Sequence, residues 1–199
     1  MGKIIIIRHG QTDYNVRGLL QGREEVPLNE AGVKEADEAS YHLARAFSRA
    51  DFKVDKIITS PLSRASVTAR VIGEAIGVFD ITEDERLIER DFGILSGAPY
   101  TKGSSVVLED ISEPSVERVE QIIFRVNSLI FEKIKKDENA ILVTHGAVAR
   151  IYAKNAKKGD GVDENSIGIM GNLHLGVYSY NGKEMILEAY DIAPREFGV

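Results

Sequence analysis

The chain has 199 residues, 43% of them apolar and 28% charged, with a net charge of −6 and no cysteine. Length and composition suit one globular domain, and the missing cysteines exclude disulfides, thiolate metal sites and thiol catalysis. An acidic chain without clustered Lys and Arg is a poor nucleic-acid binder, although one cleft that gathers positive charge still suits a small anion. No apolar run reaches membrane-spanning length, so the expectation is a cytoplasmic protein with neither nucleic acid nor membrane as partner.

Residues 3–8 read Lys-Ile-Ile-Ile-Ile-Arg, a strand buried on both faces. A helix opens at Asn29-Glu30-Ala31 with Asn29 as N-cap and carries Ala36, Ala39, Leu43 and Phe47 on one face. Residues 56–59 form a second strand, Ser60-Pro61 turns the chain, and a helix runs through Ala65, Ala69, Ile72 and Ile76 to its stop at Gly77. Residues 79–82 suggest a short third strand, and 84–114 are irregular. A long helix is expected over 115–136, with Val116, Val119, Ile123, Val126, Ile130 and Ile134 as its stripe. Residues 140–144 are another buried strand, and 147–157 a helix ending before Gly159. Residues 175–180 and 185–190 flank Asn181-Gly182, a hairpin signal. Alternating strands and helices imply a three-layer α/β/α sandwich with a mostly parallel central sheet and a C-terminal antiparallel hairpin at its edge. It is expected to form a single domain over 1–199, with a short cap insertion around 98–114.

In such sheets ligands bind beyond the carboxyl ends of the strands. Arg8-His9-Gly10, Ser60-Pro61-Leu62-Ser63-Arg64 and Thr144-His145-Gly146 all stand at such ends. A neutral imidazole is a competent nucleophile toward phosphorus, and Arg8 and Arg64 can grip phosphate oxygens in forked pairs. Gly10 admits close approach of backbone N–H groups to an anion. His145 can donate to the same oxygens, and Glu89 is the candidate proton donor for the leaving oxygen. Taken singly, a strand-end His is usually structural, an Arg usually half of a surface ion pair, and Glu89 a solvated charge. Together, at equivalent strand ends, they point to chemistry. His42 and His174 receive no role, the histidines lack metal-site spacing, and the glycines at 168 and 171 do not make a dinucleotide loop.

The pattern resembles the histidine phosphatase superfamily over nearly the whole chain. Arg8-His9-Gly10-Gln11-Thr12-Asp13-Tyr14-Asn15 is similar to its opening motif, which implies that His9 is the phosphorylated nucleophile and that Arg8 and Asn15 bind phosphate. Pro27-Leu28-Asn29-Glu30-Ala31-Gly32 resembles its helix start. Ser60-Pro61-Leu62-Ser63-Arg64-Ala65-Ser66-Val67-Thr68-Ala69 resembles the segment giving Arg64 the second phosphate-binding role. Residues 87–97 resemble the acid-bearing segment, here with Glu89, and Val143-Thr144-His145-Gly146 the second histidine motif. Thr12, Gln21, Gly22, Arg90 and Ala147 complete the expected substrate-contacting set. Ala147 stands where mutases of the family carry Asn, Phe92 where they often carry Tyr, and Gly-Glu-Ser is missing before the long helix.

The resemblance implies a phosphatase acting on a small phosphorylated metabolite through a phosphohistidine, without metal or cofactor. The alternative is a phosphoglycerate mutase primed by 2,3-bisphosphoglycerate, and the third reading is a non-catalytic phospholigand-binding domain. A mutase needs cations for a second phosphate and a carboxylate. The stretch 98–114 offers Lys102 against Glu109, Asp110 and Glu113, leaving Arg17, Arg23 and Arg90 to supply charge from neighbouring segments. A homodimer is compatible with all three readings.

Overall fold

The four isoleucines at 4–7 set the centre of the fold. Successive strand side chains face opposite sides of a sheet, so an unbroken Ile run is buried only when both faces are covered. The computed structural model, which describes residues 1–49, 53–100 and 111–198, places them in that setting. Its strands are β1 (Gly2–Arg8), β2 (Lys56–Thr59), β3 (Ile81–Glu83), β4 (Ala140–Thr144), β5 (Lys157–Lys158), β6 (Leu175–Tyr180) and β7 (Met185–Ile192). Its α-helices are α1 (Asp13–Arg17), α2 (Glu30–Arg49), α3 (Ser63–Ile76), α4 (Val119–Lys133) and α5 (Gly146–Asn155). The sheet order is β3-β2-β4-β1-β6-β7-β5. The first four strands are mutually parallel, and β6 runs antiparallel to β1.

Two apolar layers clothe the sheet. Ile4, Ile6, Ile58 and Leu142 pack against Ile122 and Val126 of α4 and Val148 and Ile151 of α5. Ile5, Ile7, Ile57 and Val143 face the other way, onto Leu43 of α2 and Ala65, Ala69 and Ile72 of α3. This is the expected α/β/α sandwich. No helix among the described residues is long and apolar enough to cross a membrane.

Several boundaries differ from the sequence expectation. The third strand covers Ile81–Glu83, not 79–82, and Phe79 is 79% exposed. Helix α4 starts at Val119, because the Glu117 amide donates to the Asp91 carbonyl and Val116 lies in a turn. Its buried face is Ile122, Val126, Leu129 and Ile130, rotated from the expected stripe. Helix α5 stops at Asn155, and Lys157 and Lys158 instead pair with Ile186 and Leu187 at the sheet edge. Lys158 Nζ donates to the Lys154 and Ala156 carbonyls, both at 2.7 Å, which satisfies the helix end. The hairpin closes through Asn181-Gly182-Lys183-Glu184, where Asn181 Oδ1 accepts from the Lys183 and Glu184 amides. Most of the expected insertion over 98–114, including Lys102, Glu109 and Asp110, lies outside the described residues.

The start of α2 is pressed against the loop after β1. Asn29 Oδ1 accepts from the Gly32 amide at 2.8 Å, while the Asn29 amide donates to the Gln11 carbonyl at 3.1 Å. A Cβ on Gly32 would fall on the Gln11 carbonyl oxygen and within 2.8 Å of its nitrogen. Backbone cannot step aside cheaply, so Gly32→Ala is expected to destabilise the protein by roughly 1–3 kcal/mol. Urea unfolding measures this. An unchanged midpoint would mean that the loop and helix are not held in this contact.

Candidate active site

Register brings the chemistry-bearing residues together. Arg8 of β1 is level with Thr144 of β4, and Thr59 of β2 with Val143. The His9 amide donates to the Thr144 carbonyl and the Ser60 amide to the Val143 carbonyl, each at 3.0 Å. The next residue on each strand therefore emerges at one level. The His9 and His145 ring centroids lie 5.1 Å apart.

His9 is buried, and its Nδ1 lies 2.7 Å from the Gly10 carbonyl oxygen. A carbonyl only accepts, so Nδ1 carries the proton and Nε2 holds a free lone pair. Burial first, then the charges of Arg8 and Arg64, hold the His9 pKa well below the usual 6.5. His145 has the opposite tautomer. Arg64 Nε can only donate, and it points at His145 Nδ1 from 3.2 Å. The imidazole proton is therefore on Nε2, which donates to Ser60 Oγ at 2.8 Å. Burial, followed by Arg64, likewise pushes its pKa well down. In this arrangement His145 orients Arg64, and its proton is committed to Ser60 instead of facing a ligand.

Both arginines are buried, and among the described residues neither has a carboxylate within salt-bridge distance. Arg64 donates to the carbonyls of Glu24 and Gly22, both at 2.8 Å. Arg8 donates to the Met170 carbonyl at 2.6 Å, while its buried Nε finds no partner among the described residues. Burial lowers the pKa of each. Two buried cations with neutral hydrogen-bond partners and the Glu89 charge as their nearby offset are an incomplete arrangement, and an anion completes it.

Glu89 is 7% exposed and sits at the N-terminus of α5. Its carboxylate accepts from the Arg90 amide at 2.8 Å and from the Ala147 and Val148 amides at 3.4 Å. Arg8, His9, Asn15, Gln21, Glu89 and Ala147 border one small cavity of about 40 Å³. It shares Arg8, Asn15, Tyr100 and Ile169 with an outer cleft of about 770 Å³. Arg64 and His145 stand fully buried behind His9.

Other expected contacts have different duties. The Gly10 amide is taken by Thr68 Oγ1 at 3.2 Å, and a Cβ there would lie 2.9 Å from the Gly32 carbonyl, so Gly10 serves packing and the His9 tautomer. Thr12 is fully buried and caps α1, accepting from the Asn15 amide. The Gly22 carbonyl serves Arg64. Arg90 is 1% exposed and turned away, with Nε on the Glu117 carbonyl and its guanidinium 5.9 Å from the centre of the Phe92 ring.

Two supporting residues carried no role in the sequence reading. Ser60 fixes the His145 tautomer. Asn172 Nδ2 donates to the carbonyls of His9 (2.9 Å) and Gly10 (3.2 Å) and lies 3.2 Å from Asn15 Oδ1. Asn15 Oδ1 also accepts from the Thr12 amide and hydroxyl, leaving the Asn15 Nδ2 donor for the cavity. Leu173, next along, is left-handed (φ 62°), and its amide donates to the Arg8 carbonyl. Asp191, also left-handed (φ 59°), accepts from the Gly171 amide and from His174 Nδ1. The glycine-flanked run at 168–172 was the visible signal, and its meaning is a backbone clasp on β1. Among the described residues no three His, Asp or Glu side chains gather to hold a metal ion.

The histidines should divide on titration. His9 and His145 remain neutral below pH 6.5, while the Asp191 hydrogen bond raises the pKa of His174. The buried pair adds stability that is complete above pH 6.5 and declines as the pH falls below it, where the unfolded chain binds protons that the native state refuses. His174 contributes in full below 6.5 and loses that contribution as the pH rises through its higher folded pKa. NMR titration of the imidazole C–H signals should place His174 above 6.5 and the other two well below. A His9 midpoint at or above 6.5 would contradict the assigned electrostatics.

Comparison with known proteins gives the family. The pattern of the histidine phosphatase superfamily (branch 1) matches residues 4–192. A Bacillus subtilis (strain 168) protein called uncharacterized phosphatase PhoE is 30% identical over 162 residues, covering 80% of each chain. A 2,3-bisphosphoglycerate-dependent phosphoglycerate mutase of Parvibaculum lavamentivorans is 33% identical over 159 residues, covering 72% of this chain and 74% of its own. The structure of a mycobacterial glucosyl-3-phosphoglycerate phosphatase complexed with VO3 superposes with a TM-score of 0.77 at 24% identity, over 96% of this chain and 100% of its own. The chain belongs to the histidine phosphatase superfamily.

Proposed function

We propose that this protein is a phosphatase that takes the phosphoryl group of a small phosphomonoester onto His9 Nε2 and then transfers it to water. The observation that carries the reading is the His9 Nδ1–H bond to the Gly10 carbonyl, which leaves Nε2 as the free lone pair, beside a buried Arg8 with an unpartnered Nε. Nε2 attacks phosphorus, the ester oxygen leaves, and Glu89 gives it a proton. Water then attacks the phosphohistidine, Glu89 takes the proton back, and inorganic phosphate departs. Arg8 and Asn15 Nδ2 hold the phosphoryl oxygens, and Arg64 adds positive charge from behind His9, which stabilises charge without a metal or cofactor. His145, with Nδ1 accepting from Arg64 Nε and its Nε2 proton donated to Ser60 Oγ, holds that guanidinium in place behind His9. A cytoplasmic setting completes the reading.

The fate of the spare arginines favours a phosphatase over a mutase. Arg23 faces Asp91 and Glu117 at 3.7 and 3.4 Å, and Arg90 is turned onto the Glu117 carbonyl. Arg17 is exposed, 6.0 Å from the centre of the Tyr14 ring. The free Nε2 and the carboxylate in the same cavity disfavour a non-catalytic role. A phosphatase releases inorganic phosphate whether or not 2,3-bisphosphoglycerate is present, whereas a mutase needs that primer and returns an isomer.

Glu89→Gln tests the proton donor. An alkyl phosphate leaves as a basic alkoxide and needs the proton, while p-nitrophenyl phosphate leaves as a stabilised phenolate. Single-turnover transfer in EDTA should fall about a hundred- to ten-thousand-fold for the alkyl ester and much less for the aryl ester. Equal losses would remove Glu89 from this role.

A further inference from the structure

We infer that the phosphomonoesters this site accepts carry an apolar organic group, with no carboxylate or second phosphate beside the transferred one. The inference rests on the phosphatase reading and deepens it. Beside Arg8, His9 and the polar Asn15, Gln21 and Glu89, the small cavity is walled by Leu19, Leu20, Phe92, Tyr100 and Ile169. The outer cleft adds Val16. Val16 is 66% exposed, a large apolar side chain left in water at the rim. The outer space of about 770 Å³ suits an organic group of moderate size.

Charge along the walls points the same way. Among the described residues lining the two spaces Arg8 is the sole cation, and the transferred phosphoryl group occupies it. The other charged lining residues are Glu89 and Asp191, both acidic. A second anionic group would meet Asp191 and apolar side chains after losing its water, with no further cation among the described lining residues to compensate. Arg23 and Arg90, which could have turned inward, are held by Asp91 and Glu117. An alkyl or aryl group instead gains by leaving water along Val16, Tyr100 and Ile169. Gln11, Asn15 and Asn172 leave amide groups on the wall for a hydroxyl or ether along the chain.

A homologous series separates burial from chemistry, because the basicity of the leaving alcohol barely changes along it. Steady-state kcat/KM for n-alkyl phosphates from ethyl to octyl should rise with chain length, by up to about fourfold per methylene. 3-Phosphoglycerate should be a poorer substrate than butyl phosphate. Val16→Lys places a cation on the exposed rim, away from the catalytic groups, and should flatten the alkyl series while improving 3-phosphoglycerate. A flat or falling series, or preference for 3-phosphoglycerate in the unaltered protein, would overturn this inference and leave the phosphatase reading standing. No phosphate release from any ester would overturn both.

Discussion

Everything at the site depends on one parallel pairing. Strand β1 runs beside β4 with Arg8 level with Thr144, and the His9 amide is tied to the Thr144 carbonyl. A one-residue slip would turn the Ile run inside out, exchanging the face packed on α4 and α5 for the face packed on α2 and α3. Because both faces are filled, the slip is resisted along the strand, and the two histidines inherit their 5.1 Å separation from core packing. The chemistry is thus positioned by residues that do none of it.

The second constraint is electrostatic. Two guanidiniums and two imidazoles share a buried space, and desolvation weighs against all the charged forms. The arginines keep their charge beside neutral acceptors and the Glu89 carboxylate, and the imidazoles stay neutral. That division is useful, since a protonated His9 would have no lone pair to offer. An anion entering the cavity meets donors already in place, so little reorganisation accompanies its arrival. The clasp formed by Gly171, Asn172, Leu173 and Asp191 belongs to the same preorganisation. Its two left-handed residues carry a local backbone cost, held in place by hydrogen bonds to Arg8, His9, Gly10 and His174.

The sequence made the strands legible wherever they were β-branched runs: residues 56–59 and 140–144 coincide with β2 and β4. It was less legible where a tertiary contact overrode a local pattern. The residues before α4 read as helix by periodicity, but the Asp91 carbonyl and the Arg90 side chain claim the Glu117 peptide group. Lys157 continues the pattern of α5, yet β7 recruits it as an edge strand. Within the site, Arg8, His9, Arg64 and His145 announced themselves by standing at strand ends. Ser60 and Asn172 did not, because their importance lies in which donor meets which acceptor. Arg90 and Gly10 are near the site, and the Arg90 Nε and the Gly10 amide are engaged by Glu117 and Thr68, a pairing that no local pattern displays.

The central claim is that His9 Nε2 is the atom that bonds to phosphorus, and it can be tested by trapping the intermediate. Enzyme mixed with a labelled phosphomonoester and quenched in base within one turnover should carry acid-labile, base-stable phosphate on the peptide containing His9. NMR of that species should place the phosphorus on Nε2, opposite the nitrogen bonded to the Gly10 carbonyl. Phosphate attached to His9 Nδ1, attached to another residue, or absent while substrate is consumed in that turnover would contradict the account.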